Sequence, residues 1–148
     1  MPSMLVVEQR DAILRWLSAL RPDMRPRWGL MSPSTMVCHL IESARMALGE
    51  LAVKPRRAGA FRTFPLKHLL LYVVPFPKGA PTAPELLAGR PGELEADRAR
   101  LTDLLLRIGT GPSEGPGPVH PLFGPLSRRE WGVLVRKHTD HHLRQFGL

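Results

Sequence analysis

Apolar residues near the start of the chain recur with the period of an amphipathic helix. Ile13, Trp16, Leu17 and Leu20 follow the i, i+3, i+4, i+7 spacing, while charged residues fall on the other faces. This spacing predicts a first helix over residues 4–20. The next ten residues hold two prolines and a glycine, so we expect a connector there.

Ser32 and Pro33 mark the start of a second helix. A serine hydroxyl can accept a free backbone N–H at a helix start, and proline at the first helical position lacks only a donor that would have no partner. The helix is predicted over residues 33–48, before Gly49. At 100° per residue its inward stripe consists of Met36, His39, Leu40, Ser43, Met46 and Ala47. A histidine therefore lies among core positions.

Two further helices are predicted in the second half of the chain. Leucines and an isoleucine repeat at helical spacing over residues 93–108, with charges between them. Ser127 and Glu130 have the spacing of a capping box, in which each side chain accepts a backbone N–H of the other residue. The last helix is predicted over residues 128–146, before Gly147.

The two long connections are rich in glycine and proline. Between residues 51 and 91 lies a single apolar stretch, residues 64–74, whose periodicity fits either a short helix or a strand, and we expect a short helix. Residues 109–125 are predicted to lack regular structure. No alternating pattern typical of strands is present. The sequence therefore predicts an all-α fold in one domain, residues 1–148: a four-helix bundle with one extra short helix between helices two and three.

Composition agrees with one ordinary globular core. The chain has 148 residues, of which 43% are hydrophobic and 23% charged. No apolar run approaches the roughly 18 residues that predict a membrane span. The first residues lack a basic segment followed by a long apolar stretch, and Cys38 is the single cysteine. These features predict a cytoplasmic protein without a membrane partner.

The net charge of +8 is the one unusual feature of the composition. A basic chain could bind nucleic acid. However, the basic residues are spread along the sequence, and their few pairs lack the interleaved aromatic side chains on which bases stack. We therefore expect a solvated basic surface rather than a nucleic-acid interface.

Histidines occupy core positions on the last predicted helix. Its inward face consists of Trp131, Leu134, Val135, His138, His142 and Gln145. Residues four apart on a helix have Cβ atoms about 5–6 Å apart, so both imidazoles can reach one ion. With His39 on the second helix, three imidazoles can face one interior, and metal coordination would remove the cost of burying them unpaired. His141 lies about 60° off this face and is a weaker candidate.

Five other residues could contribute to a site, and each also has a simpler interpretation. Cys38 adjoins His39 but diverges from it by 100°, so we interpret it as a small packed residue. His120 either approaches the histidines or is exposed, and we favour exposure. His68 lies in the apolar stretch without an assigned role. Asp140 and Glu42 could orient an imidazole as acceptors or form surface ion pairs.

Several segments together resemble the DinB-like superfamily. They are residues 28–32, with the sequence Trp-Gly-Leu-Met-Ser, then Met36 and His39, and later residues 120–127 and 138–147. The resemblance implies a four-helix bundle with up-down-down-up connectivity, often a homodimer, that holds a divalent metal through His39, His138 and His142. Characterised relatives include bacillithiol-dependent transferases and mycothiol-dependent maleylpyruvate isomerase, which use low-molecular-weight thiols.

Two functions are compatible with these residues. Three neutral histidines leave at least one coordination position open, as in catalytic sites, which predicts a metal-dependent hydrolase or a thiol-dependent transferase acting on a small molecule. The alternative is a non-catalytic metal-stabilised bundle, either structural or stress-related. Imidazole ligands suit Zn²⁺, Ni²⁺, Fe²⁺ and Cu²⁺, so the sequence leaves the ion open, with Zn, Ni or Fe expected.

Overall fold

A computed structural model describes all 148 residues of the chain. It has five α-helices: α1 (Val7–Ser18), α2 (Pro33–Ala47), α3 (Leu66–His68), α4 (Leu94–Thr110) and α5 (Arg128–Gln145). Two antiparallel strands, β1 (Pro116–His120) and β2 (Gly124–Ser127), lie between α4 and α5. The four long helices match the predicted ones to within three residues at each end.

The two helices that carry the candidate histidines begin with the same cap. Ser32 accepts a hydrogen bond from the Thr35 backbone N–H at 3.2 Å, and the Thr35 hydroxyl accepts one from the Ser32 N–H at 2.8 Å. Ser127 and Glu130 make the equivalent pair before α5, at 3.2 and 2.7 Å. Each cap supplies acceptors for N–H groups that have no partner within the helix. The predicted starts of both helices are confirmed.

The prediction of an all-α four-helix bundle is wrong. The chain is 52% helical, with five helices and a two-stranded antiparallel sheet in the segment predicted to lack regular structure. Prolines do not prevent this sheet, because both of its strands are edge strands. A proline in an edge strand can lie where its missing N–H would face away from the other strand, so no hydrogen bond between the strands is lost. The register pairs Pro116 with Ser127 and Val119 with Pro125, and it is irregular between these pairs.

The connection between α2 and α4 contains the predicted short helix. It forms as α3 and continues as a π-helical turn, Leu69–Val73. Leu71 from this turn is buried in the core, and so is Leu86 from a short 3₁₀ turn, Pro84–Leu86. Through these two anchors the connection packs back against α2 and α5, and it thereby forms part of the surroundings of the histidines.

Helix α2 lies at the centre of the core. All six residues of its predicted inward stripe are buried, and so are Val37 and Ile41 on its other sides. Burying a large aliphatic side chain contributes about 1.5–3 kcal/mol, so α2 is held in place along its whole length. None of the helices combines the length and the apolar character that crossing a membrane requires.

Candidate metal centre

Three histidines from two helices converge at one point. His39 lies on α2, and His138 and His142 lie on successive turns of α5. Their ligand-type nitrogen atoms all lie within 4.8 Å of one another. Nε2 of His138 is 3.0 Å from Nε2 of His39 and 3.1 Å from Nε2 of His142. We call these three residues the histidine cluster.

The tautomer of His39 follows from the atom that its other ring nitrogen contacts. Nδ1 of His39 lies 3.1 Å from the backbone carbonyl oxygen of Leu86. A carbonyl oxygen can only accept, so Nδ1 carries the proton and donates it. Nε2 of this neutral ring therefore presents a lone pair to His138.

His142 is held in the same tautomer by Gln145. The amide nitrogen of Gln145 donates to the Trp28 carbonyl at 2.8 Å, and this bond turns the amide oxygen toward the histidine. That oxygen lies 2.9 Å from Nδ1 of His142, which must donate to it. Nε2 of His142 therefore also presents a lone pair to His138.

Hydrogen bonds alone cannot satisfy this arrangement. His138 has at most one proton on Nε2, and one proton cannot bridge two acceptors on different rings at full strength. A cation among the three nitrogens would accept all three lone pairs. Two nitrogens bound to one tetrahedral Zn²⁺ at about 2.0–2.1 Å lie roughly 3.4 Å apart, close to the separations of 3.0 and 3.1 Å seen here. The donor set thus fits a divalent metal.

The protein environment keeps the cluster neutral. Burial lowers the pKa of His39, against the opposing effect of its hydrogen bond to Leu86. Burial and the neighbouring His142 and His39 hold the pKa of His138 well below its ordinary value. Burial, with His39 adding to it, lowers the pKa of His142 to about 4. A metal ligand must be deprotonated, so the three rings are ready to bind a cation at neutral pH.

One side of the cluster is accessible. His39 and His142 are 3% and 9% exposed, whereas His138 is only partly buried. The ring of Phe76 packs against this histidine, with centroids 5.9 Å apart, and Trp28 packs against the neighbouring His141 at 5.6 Å. An aromatic ring therefore lies beside the one histidine of the cluster that is not fully buried.

His141 stays outside the histidine cluster, as its position on the helix predicts. Its ring contacts the ring of His142, with centroids 5.2 Å apart, but its nitrogens are not among those that converge. Cys38 is buried and has no disulfide partner, in agreement with a small packed residue. Glu42 forms an ion pair with Arg45, and Asp140 forms ion pairs with Arg136 and Arg144. The ion-pair interpretation of both carboxylates is therefore confirmed.

His120 differs from its prediction, because it is partly buried rather than exposed. Its Nδ1 accepts the backbone N–H groups of Leu122 and Phe123 at 3.0 and 3.1 Å, and its ring packs on Trp131. Burial lowers the pKa of His120 to about 4. This histidine closes the turn between β1 and β2 and is not part of the cluster. His68 packs between Phe64 and Tyr72, away from the cluster.

The sequence did not identify the two groups that orient the cluster. Leu86 contributes a main-chain carbonyl, and no side-chain pattern can indicate such a role. Gln145 was predicted on the same face as His138 and His142, and its spacing of three residues from His142 was the available signal. Second partners of this kind fix the tautomer and the orientation of metal-binding histidines.

Comparison with protein-family models, with curated proteins and with solved structures found no match for this chain.

Proposed function

We propose that this chain binds a divalent metal ion through Nε2 of His39, His138 and His142 and is a metal-dependent enzyme acting on a small molecule. The observation that carries the proposal is the fixed tautomer of two histidines. Leu86 and Gln145 hold the protons of His39 and His142 on Nδ1, so that two lone pairs meet at Nε2 of His138.

Catalysis is favoured because the protein supplies three ligands. No cysteine, aspartate or glutamate joins the cluster. Three protein ligands with a free fourth position are typical of catalytic zinc sites, whereas structural sites are closed by four. A bound ion would lower the pKa of a water or thiol at the free position, which supports hydrolysis or thiol transfer as the reaction class.

The family resemblance supports the same ligands. The histidines that the DinB-like superfamily would use are the three that converge here. On this basis we propose a low-molecular-weight thiol or another small molecule as substrate, a homodimer as the assembly, and Zn²⁺, Ni²⁺ or Fe²⁺ as the ion. The free Cys38 fits the reducing conditions of the cytoplasm.

A non-catalytic role is the second candidate. His39 and His138 are 99 residues apart in the sequence, so one ion would cross-link two distant helices. Two of the three histidines are also buried, as expected for a structural ion. In this case the ion would stabilise the fold, and its fourth position would not exchange ligands.

Cobalt spectroscopy tests the proposal and separates the two candidates. The protein is freed of metal with a chelator, loaded with Co²⁺ and titrated with 2-mercaptoethanol, while its visible absorption is recorded. We expect one Co²⁺ per chain and a change in the spectrum as a sulfur ligand enters. Ethylene glycol, in which oxygen replaces sulfur, is the matched control.

Each outcome decides one part of the proposal. Failure to bind Co²⁺ would overturn the metal centre itself. A bound Co²⁺ whose spectrum stays fixed at saturating thiol would overturn thiol chemistry, and a spectrum also unchanged by azide, a small anionic ligand, would favour the structural ion.

A further inference from the structure

A cavity of about 440 Å³ adjoins the histidine cluster on a neighbouring face of α5. His141 lines this cavity, and its ring centroid lies 5.2 Å from that of His142. Phe76 also lines it and packs against His138. The volume lies within the range of about 300–1,000 Å³ that small-molecule sites occupy, and it is larger than an inorganic anion needs.

One part of the cavity wall is apolar and another part is charged. The apolar wall comes from the segment that follows α3 and includes Leu71, Tyr72 and Phe76. The charged wall, which we call the cationic face, comes from α5 and consists of Arg136, Lys137, Asp140 and Arg144. Three cationic side chains thus share a single carboxylate.

That carboxylate is shared by two arginines. Oδ2 of Asp140 accepts a hydrogen bond from Nε of Arg144 at 2.8 Å, while Oδ1, which has no hydrogen-bond partner, lies 3.6 Å from Nη1 of Arg136, within ion-pair distance but beyond hydrogen-bond distance. The side chain of Arg136 is only 14% exposed, and its buried Nε has no hydrogen-bond partner. Arg136 is thus a guanidinium largely removed from water that shares the single negative charge of Asp140 with Arg144.

Lys137 has no carboxylate partner. Its ammonium group donates to the backbone carbonyls of Leu70, Leu71 and Val74, and it lies 5.0 Å from the centroid of the Phe76 ring. Neutral carbonyls satisfy its donors but leave its positive charge without compensation. The cavity wall therefore holds two partly buried cations: Arg136, whose only nearby carboxylate also pairs with Arg144, and Lys137, which has no carboxylate partner.

We propose that this cavity binds an organic carboxylate, with the anionic group against Arg136 and Arg144 and an apolar body against Leu71, Tyr72 and Phe76. Arginine presents a planar fork of donors that matches a carboxylate. The apolar wall favours a ligand with an aromatic or aliphatic body over a bare inorganic anion. This inference goes beyond the proposed function, because binding here requires no metal ion.

The test uses 2-naphthoate and the metal-free full-length protein, with affinity measured by calorimetry. The neutral 2-naphthylmethanol and inorganic phosphate are the comparison ligands. We expect 2-naphthoate to bind at least tenfold more tightly than either, because only it offers both the charge and the apolar body. Binding should persist in the His138→Ala variant, which separates this site from the histidine cluster.

Two arginine variants locate the site. Arg136→Gln should weaken 2-naphthoate binding at least tenfold, and Arg144→Gln, at a side chain that is 64% exposed, provides a second variant that does not disturb the interior. Arg129→Gln is the matched control, because Arg129 lies on the same helix, is 71% exposed and pairs with Glu114. It removes the same charge and should leave binding unchanged.

Three single results and one combination of results would overturn the proposal. The single results are equal binding of 2-naphthoate and 2-naphthylmethanol, equal weakening by Arg136→Gln and Arg129→Gln, and absence of 2-naphthoate binding to the folded protein. Loss of binding in His138→Ala together with full binding in Arg136→Gln would place the anion at the histidine cluster instead, and would equally exclude the cavity.

Discussion

Two adjacent faces of α5 present opposite chemistry. The first, which we call the histidine face, carries His138 and His142, which join His39 of α2 in the histidine cluster. Leu86 and Gln145 hold the protons of His39 and His142 away from the centre, so the free lone pairs there suit a cation. The cationic face carries three positive side chains against Asp140 alone, so it suits an anion. The charge of the ligand that each face suits is thus decided by the surrounding partners, even though both faces carry side chains that can be positively charged.

The largest expected effect is the loss of metal affinity when a histidine of the cluster is removed. Replacing His138 by alanine removes the ligand toward which the other two lone pairs point, and we expect metal affinity to fall more than about a hundredfold, beyond the usual effect of losing an orienting partner. His141→Ala, on the neighbouring position, should keep one ion per chain. Metal content after equilibrium dialysis measures both. Loss of the ion from His141→Ala with retention in His138→Ala would contradict the assignment.

Lowering the pH should reduce the free energy of unfolding of the metal-free protein, and His142 of the histidine cluster should contribute to this loss. The pKa of His142 is lowered to about 4 in the fold, whereas an unfolded histidine titrates near 6.5. Between these values the unfolded state binds a proton that the native state does not, so stability falls as the pH falls. His142 alone contributes about 2–3 kcal/mol between pH 7 and pH 4.5. Urea unfolding at both pH values checks this.

A variant isolates that contribution from the other groups that titrate. His142→Gln cannot take up the proton, so its free energy of unfolding should vary less between the two pH values by the same amount. An equal pH dependence in the variant and the parent protein would contradict the lowered pKa, because His142 would then take up its proton equally in the folded and unfolded states.

Metal should stabilise the fold by an amount set by its affinity. An ion that binds only the native state, at a concentration a hundredfold above its Kd, contributes about 2.7 kcal/mol, which raises the Tm by about 5–10 °C for a chain of this size. Differential scanning calorimetry with and without Zn²⁺ measures the shift. The His138→Ala protein is the control, and an equal shift there would place the stabilising ion elsewhere.

Gln145 should matter for metal binding although it is not a ligand. Gln145→Leu removes the acceptor that fixes the His142 tautomer, and the expected loss in metal affinity is about 10–100-fold. Gln145→Glu keeps an acceptor for Nδ1 and should retain most of the affinity. Competition with a chromophoric chelator measures both variants, and equal losses would mean that an acceptor for Nδ1 of His142 is not sufficient and that the bond of Gln145 to Trp28 or its packing is required.

The smallest expected effect is that of replacing Asp140, which tests whether the two faces of α5 bind their ligands independently. Asp140→Asn removes the only carboxylate of the cationic face, so 2-naphthoate should bind more tightly in calorimetry. Metal affinity should stay within about threefold, because Asp140 contacts arginines and no histidine of the cluster, and partly exposed pairs contribute about 1 kcal/mol or less. A large loss of metal would instead make Asp140 an orienting partner.

The long helices could be predicted because their signals are local. The apolar period, the serine caps before α2 and α5 and the glycines after them are read within one or two turns. The hairpin was missed because its prolines and glycines are also typical of irregular loops, and the pairing of Pro116 with Ser127 is not a local property. Whether such a segment becomes a strand depends on the segment that pairs with it, not on its own sequence pattern.

The histidine cluster was predictable in part for the same reason. Two histidines four residues apart must share a face, and His39 falls on the inward stripe of its own helix. The carbonyl of Leu86 and the cavity beside Phe76 were not predictable, because both depend on how the connection between α2 and α4 folds back. That segment has few periodic residues, so its path becomes visible only in three dimensions.

The separation of 99 residues along the sequence between His39 and His138 also affects the order in which contacts form during folding. Closing a loop of that length in a flexible chain costs about 4 kcal/mol, so contacts across it form late. An ion that binds only when both helices are in place then has little influence on the rate at which the chain folds. It acts mainly by slowing unfolding, so bound metal would prolong the lifetime of the native state.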